Sequence, residues 1–275
     1  MDDLKEKFKD EKFDIIVLAG QSNAEGNGKG DAVDYIPDKR ILMMNDDSSP
    51  HFEKTGDKSR LVLNYPARDC VFVAEEPQNQ GGKRGNLSLS FARNYAEKIL
   101  GPDRKILIVN GAVGGTGFAR KEWGKDNILY VRLVNMVKKA LAFNSENRIT
   151  AFLWHQGECD SVENPLWDEE KRYLTHSKNL FEMLSDFKNT FGLESLPFVA
   201  GGFAEEWYLK NKTACDAVLK AVRETCEKLK GGFVETSDLK SNNQKVGDGD
   251  DLHFCRDALF TLGERYFNAY CKIKR

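Results

Sequence analysis

Residues 13–26 read FDIIVLAGQSNAEG. An apolar run from Ile15 to Ala19 stops at Gly20 and gives way to Gln21, Ser22 and Asn23. A short apolar run closed by such a break predicts a buried strand over 14–19. Open α/β sheets place their sites just past the C-terminal ends of such strands. Ser22 is therefore a candidate nucleophile, and its partners should lie at other strand ends.

The same signal recurs downstream. Residues 105–110, KILIVN, run into a glycine-rich turn at 111–117, and the strand predicted over 149–154 runs into His155-Gln156-Gly157-Glu158-Cys159-Asp160. A weaker strand is expected at 40–44, a further one at 197–203 and a short one at 233–236. Between them lie helical patterns. Phe91, Ala92, Tyr95, Ala96 and Ile99 share one face of a helix over 88–100, and Tyr130, Leu133, Val134, Val137 and Leu141 mark another. A long helix is expected over 167–191, with others marked by Val218 to Leu229 and by Ala258 to Tyr270. Residues 45–86 are polar and irregular, with a hairpin expected around 61–63 and 71–74. A loop of this length is usually functional, so it is a candidate pocket wall. Alternating strands and helices predict a three-layer α/β/α fold around a mostly parallel sheet of about five strands, in a flavodoxin-like order 2-1-3-4-5. No repeat or linker divides the chain, so 1–275 reads as one domain.

Composition narrows the function. The chain has 275 residues, 40% hydrophobic and 31% charged, with a formal net charge of only -2. That is enough apolar residue for a sizeable core, and no basic field that would attract nucleic acid. No run approaches the roughly 18 apolar residues of a membrane span. The charged N-terminal segment lacks the apolar centre of a signal peptide, which points to a cytoplasmic protein. Six cysteines with no CxxC pair argue for free thiols rather than a zinc or redox site.

A serine hydroxyl is a weak nucleophile without a base. His253 can take its proton and later return it to a leaving alcohol. An acid three residues earlier, Asp250, can hold the imidazole tautomer, although Asp248 and Asp251 lie close enough in sequence to compete. An oxyanion formed by attack on an ester needs preplaced donors. The N–H of Ser22, the N–H of Gly115 and the side-chain amide of Gln156 are candidates. Strand alternation puts Gln156 on the face of Phe152 and Trp154, and His155 on the other, so both should not enter one site. Taken singly, each residue has a plainer reading: turn, cap, tight loop or surface histidine. Only their joint placement at one sheet edge carries chemistry.

Four segments together resemble the SGNH, or GDSL-like, hydrolase superfamily, and more narrowly its sialate O-acetylesterase and carbohydrate esterase family six acetylxylan esterase branch. They are Gly20-Gln21-Ser22-Asn23, Val113-Gly114-Gly115-Thr116, Trp154-His155-Gln156-Gly157-Glu158-Cys159-Asp160 and Asp250-Asp251-Leu252-His253-Phe254, in the family's order. The resemblance implies Ser22, His253 and Asp250 as the catalytic residues. It implies Ser22, Gly115 and Gln156 as oxyanion donors, with Gln21, Asn23, Glu158 and Asp160 supporting them. It implies a serine esterase that removes O-acetyl groups from a small acetylated carbohydrate, with no cofactor and no metal. Two other functions compete. One is a carbohydrate binder without catalysis, with Trp123, Trp167, Trp207 and Tyr208 as candidate stacking faces. The other is a nucleotide or phosphate binder, but neither GxGxxG nor GxxxxGK[ST] is present. A metal site from His155, Glu158 and Asp160 is a minor alternative.

Overall fold

The computed structural model describes residues 2–31, 35–55, 58–79, 82–162 and 165–273. Helix α1 (Asp2–Phe8) leads into β1 (Phe13–Gly20), and a single turn of helix, α2 (Ser22–Glu25), follows at once. Strand β2 (Ile41–Asp46) precedes a hairpin of β3 (His51–Thr55) and β4 (Lys58–Val62), then β5 (Asp69–Val73) and a minimal hairpin of β6 (Gln78–Asn79) and β7 (Gly82–Lys83). Helix α3 (Leu87–Lys98), β8 (Lys105–Asn110), α4 (Ile128–Ala142) and β9 (Arg148–His155) continue the alternation. The chain then runs through α5 (Glu158–Val162), α6 (Glu169–Thr190), β10 (Phe198–Gly201), α7 (Glu205–Lys210), α8 (Lys212–Lys228), β11 (Gly232–Val234), α9 (Asn242–Val246) and α10 (Arg256–Ile273).

Every residue of β1 is buried, as expected of a strand covered on both faces of a parallel sheet. Its side chains alternate between two cores. Ile15, Val17 and Ala19 join Leu133, Val137, Leu184 and Val222 under α4, α6 and α8. Ile16 and Leu18 join Phe91, Tyr95, Leu259 and Tyr266 under α3 and α10. Each Ile, Val or Leu so buried contributes about 1.5–3 kcal/mol. These two cores make the three layers that the strand–helix alternation predicts.

The sheet has seven strands rather than about five, in the order β11-β10-β9-β1-β8-β2-β5, all parallel except β5. The expected order 2-1-3-4-5 is corrected: β8 inserts between β1 and β2, pairing with both. Interior strands carry the same unbroken apolar signal wherever they lie, so apolar content alone does not rank neighbours. The order matters to the site. β1 is flanked directly by β8 and β9, so the three polar strand ends sit side by side at the point where the chain changes its direction of winding.

The expected hairpin in 45–86 is also corrected. β4 pairs with β3, Leu61 opposite Phe52, whereas β5 is an antiparallel edge strand on β2, with Val73 opposite Leu42. β5 is half-exposed, so its pattern does not reveal its partner. All six cysteines are free, and Cys215, Cys226 and Cys255 are buried.

Candidate active site

β1 can end as it does because residue 20 is glycine. Its φ is +131°, and a Cβ there would lie 2.1 Å from the His155 carbonyl oxygen. The chain then turns, Gln21 N–H donates to His155 O at 3.0 Å, and Ser22 opens α2. Ser22 Oγ lies 2.8 Å from His253 Nε2, across 231 positions of sequence. His253 Nδ1 lies 2.9 and 3.0 Å from the two oxygens of Asp250.

Asn23 brings these segments together. Its Nδ2 donates to Leu252 O at 3.3 Å, and its Oδ1 accepts from Phe254 N–H at 3.0 Å, so one amide grips the chain on both sides of His253. Asn242 N–H holds the His253 carbonyl at 2.8 Å. The three neighbouring acids are sorted by their partners. Lys29 pairs with Asp248 at 2.5 Å and lies 3.5 Å from Asp250, Asp251 pairs with Lys210 at 2.6 Å, and of the three acids only Asp250 meets the imidazole. Burial opposes charge on Asp250, but hydrogen bonds from His253 and from Asn242, at 2.9 Å, outweigh it and hold the carboxyl well below the usual range. An ionised Asp250 accepts the Nδ1 proton, which leaves Nε2 bare to accept from the serine hydroxyl.

Two backbone donors stand free beside this line. The N–H groups of Ser22 and Gly115 meet no protein acceptor among the described residues. Gly115 has φ +69°, a conformation that favours glycine. Its loop is tied down on both sides: Gly114 N–H donates to Glu25 at 3.0 Å, and Arg120 donates to the Gly115 carbonyl. The Phe52 ring from the 45–86 segment lies 3.9 Å from where a Gly115 Cβ would be, so this segment does border the site.

The remaining predicted residues are layered behind. Gln21 lines the cavity, and its Oε1 accepts from Gln156 Nε2 at 3.3 Å and from Cys159 N–H at 3.2 Å. Gln156 is buried beneath it, off the cavity wall, donating also to Thr116 O at 3.2 Å and Asp160 at 3.1 Å. Asp160 further accepts from Ala119 N–H and His176; these bonds overcome the burial that disfavours its charge and keep its carboxyl low. Glu158 takes a 2.6 Å bond from Asn23, yet burial dominates and raises its carboxyl. His155 points to the opposite face, against the Tyr266 hydroxyl at 2.9 Å, and burial lowers its pKa to about 3. No three His, Cys, Asp or Glu side chains among the described residues converge as a metal-ligand set.

The cavity over Ser22 holds about 440 Å³ and is lined also by Glu25, Gly115, Trp207, Leu252 and His253. Of the four aromatic candidates, only Trp207 reaches it. Trp123 is buried with its indole N–H on Thr116, Tyr208 lines a separate cavity of about 510 Å³ beside β10 and β11, and Trp167 lies against Lys171. Sequence reasoning missed Glu25 and Asn242. Glu25 follows Ser22 by three residues in α2, a spacing that puts both on one side of a helical turn.

Fold and site together define a hydrolase of the SGNH type, with its polar residues gathered at three adjacent strand ends and one C-terminal loop. The chain belongs to the family described as carbohydrate esterase, sialic acid-specific acetylesterase, whose model matches residues 12–272. It is 27% identical over 206 residues to a probable 9-O-acetyl-N-acetylneuraminic acid deacetylase of Escherichia coli K12. That alignment spans 63% of this chain and 59% of the relative, somewhat over half its length. Among solved structures, NanS shares the fold at a TM-score of 0.72 and 18% identity, covering 97% of this chain and 99% of its own. An Arabidopsis thaliana protein gives 0.66 at 21% identity, covering 95% and 98%. The family membership agrees with the resemblance carried by the four sequence segments. No helix among the described residues is long and apolar enough to cross a membrane.

Proposed function

We propose that residues 1–275 act as one serine esterase unit that removes O-acetyl groups from sugars or small oligosaccharides. The observation that carries this reading is the hydrogen-bonded line Ser22–His253–Asp250 ending beside two unpaired backbone donors in an open cavity. Ser22 Oγ attacks the acetyl carbonyl as its proton passes to His253 Nε2. The carbonyl oxygen gains charge against the N–H groups of Ser22 and Gly115. His253 then gives the proton to the departing sugar oxygen, leaving an acetyl ester on Ser22. Water, deprotonated by His253, releases acetate and restores the serine. Asp250 holds the imidazole and offsets its transient charge without taking the proton.

Family membership supports a carbohydrate ester as substrate, and the E. coli relative suggests a 9-O-acetylated sialic acid as the first compound to test. Trp207 on the cavity wall supplies an apolar face of the kind sugars stack on. The test is acetate release from a panel of acetylated sialic acids, xylo-oligosaccharides and p-nitrophenyl acetate. Turnover of at least one, abolished in Ser22→Ala, is expected. Full activity in a folded Ser22→Ala protein would falsify the mechanism.

A further inference from the structure

We propose that the side-chain donor of the oxyanion hole is Gln21, and that Gln156, to which the family resemblance gives that role, is the positioning residue that aims it. This rests on the esterase reading above. A carboxamide nitrogen has two N–H groups. Gln156 Nε2 already faces three protein acceptors, Gln21 Oε1, Thr116 O and Asp160 Oδ2, at 3.1–3.3 Å. Both glutamines are 2% exposed, but Gln21 lines the cavity wall whereas Gln156 lies off it. Turning toward a substrate would leave the buried Asp160 carboxylate short of a donor, which costs more than the bond gained.

Gln21 is built the other way. Its Oε1 is held by two donors, Gln156 Nε2 and Cys159 N–H, so the assignment of oxygen and nitrogen is unambiguous. With the oxygen anchored inward, the planar amide turns Nε2 away from that anchor. Nε2 meets no acceptor among the described residues, and Gln21 shares the cavity wall with Ser22 and Gly115. The backbone of Gln21 is equally fixed. Its N–H donates to His155 O, and its carbonyl accepts from Ala24 N–H and Glu25 N–H, both at 2.9 Å. A donor locked before substrate arrives stabilises developing charge without reorganising. Asp160, anchored by His176 and Ala119 N–H, holds Gln156, and Gln156 holds Gln21.

The experiment is a double-mutant cycle read on p-nitrophenyl acetate, with thermal unfolding as the check on folding. Gln21→Leu is expected to lower kcat by about 10²–10³-fold with little change in KM. Gln21→Glu keeps the acceptor that Gln156 and Cys159 N–H grip but offers no donor, so it should fall as far, and it decides the matter if Gln21→Leu does not fold. Gln156→Met should lose less, roughly 10-fold, and the double variant should be no slower than Gln21→Leu alone, because Gln156 acts through Gln21. A large loss in Gln156→Met with near-normal Gln21→Leu and Gln21→Glu, or losses that multiply, overturns the inference while leaving the esterase reading intact. A folded wild-type protein that turns over no ester in the panel removes both.

Discussion

Strand β1 carries a buried polar cluster at each end, and the two are built on opposite terms. At the N-terminal end Asp14, with no exposed surface, accepts from Arg104 Nε at 2.7 Å, Arg148 Nε at 2.7 Å and the Tyr95 hydroxyl at 2.8 Å. Burial alone would raise its carboxyl, but bonds from Arg148, Tyr95 and Arg104 outweigh it and hold the carboxyl low. At the C-terminal end the N–H groups of Ser22 and Gly115 stand unpaired, and Glu158 Oε2 and His155 Nε2 are buried without a hydrogen bond among the described residues, His155 Nε2 lying 3.8 Å from Glu158 Oε1. A buried polar cluster with every group satisfied stabilises the fold. One with donors left over stores its capacity for a substrate.

The largest effect expected is at the C-terminal end. Ser22→Ala and His253→Ala should each lower kcat by about 10⁴–10⁶-fold, with thermal unfolding unchanged. Loss of stability instead would place this end in the same class as the other. Next, Asp250→Asn should cost roughly 10³–10⁴-fold, because an amide no longer enforces the Nδ1–H tautomer; a near-wild-type rate would show that the acid does not orient the base.

The third test addresses the opposite end. Asp14→Asn leaves the largely buried Arg104 guanidinium without its carboxylate and should cost about 3–5 kcal/mol in denaturant unfolding, with the rate per folded molecule unchanged; the exposed Arg148 is rehydrated and adds little. Its carboxyl is depressed, so its contribution is present above the unfolded value near 3.9 and is lost as pH falls through the lower folded value. Asp14→Asn should therefore flatten the acid limb of the stability curve.

The smallest effect has the reverse sign. Glu158, raised chiefly by burial, leaves stability intact below the unfolded value near 4.3 and erodes it as pH climbs through the folded value. Glu158→Gln should be at least as stable as wild type at pH 8, the difference vanishing toward pH 4. Equal pH profiles for Asp14→Asn and Glu158→Gln would erase the distinction between the two ends.

Much of this was legible in the chain. β1, β8 and β9 announced themselves as apolar runs because parallel strands are covered on both faces, and α3, α4, α6 and α10 through three-and-four spacing. β5 was misassigned because an edge strand with one exposed face carries too weak an alternation. α7, which brings Trp207 to the cavity, went unseen because six residues are too few to show a period. α9 was signalled by Ser241 and Gln244, a capping box that the structure forms, but the polar run around it masked the signal.

The sequence alone determined the alternation of strands and helices, and the four segments that had to meet. It did so because burial and turn chemistry are local properties of side-chain type. Tertiary structure decided the strand order that sets β8 and β9 against β1, the choice of Asp250 over Asp248 and Asp251, and the layering of Gln156 behind Gln21. These depend on which groups compete for the same partner once the chain has folded: Lys29 pairs with Asp248 across 219 positions, Lys210 with Asp251 across 41, and Asp160 claims the Gln156 amide. Such competition has no signature in spacing, since it is settled only when the chain has closed and each donor must find an acceptor.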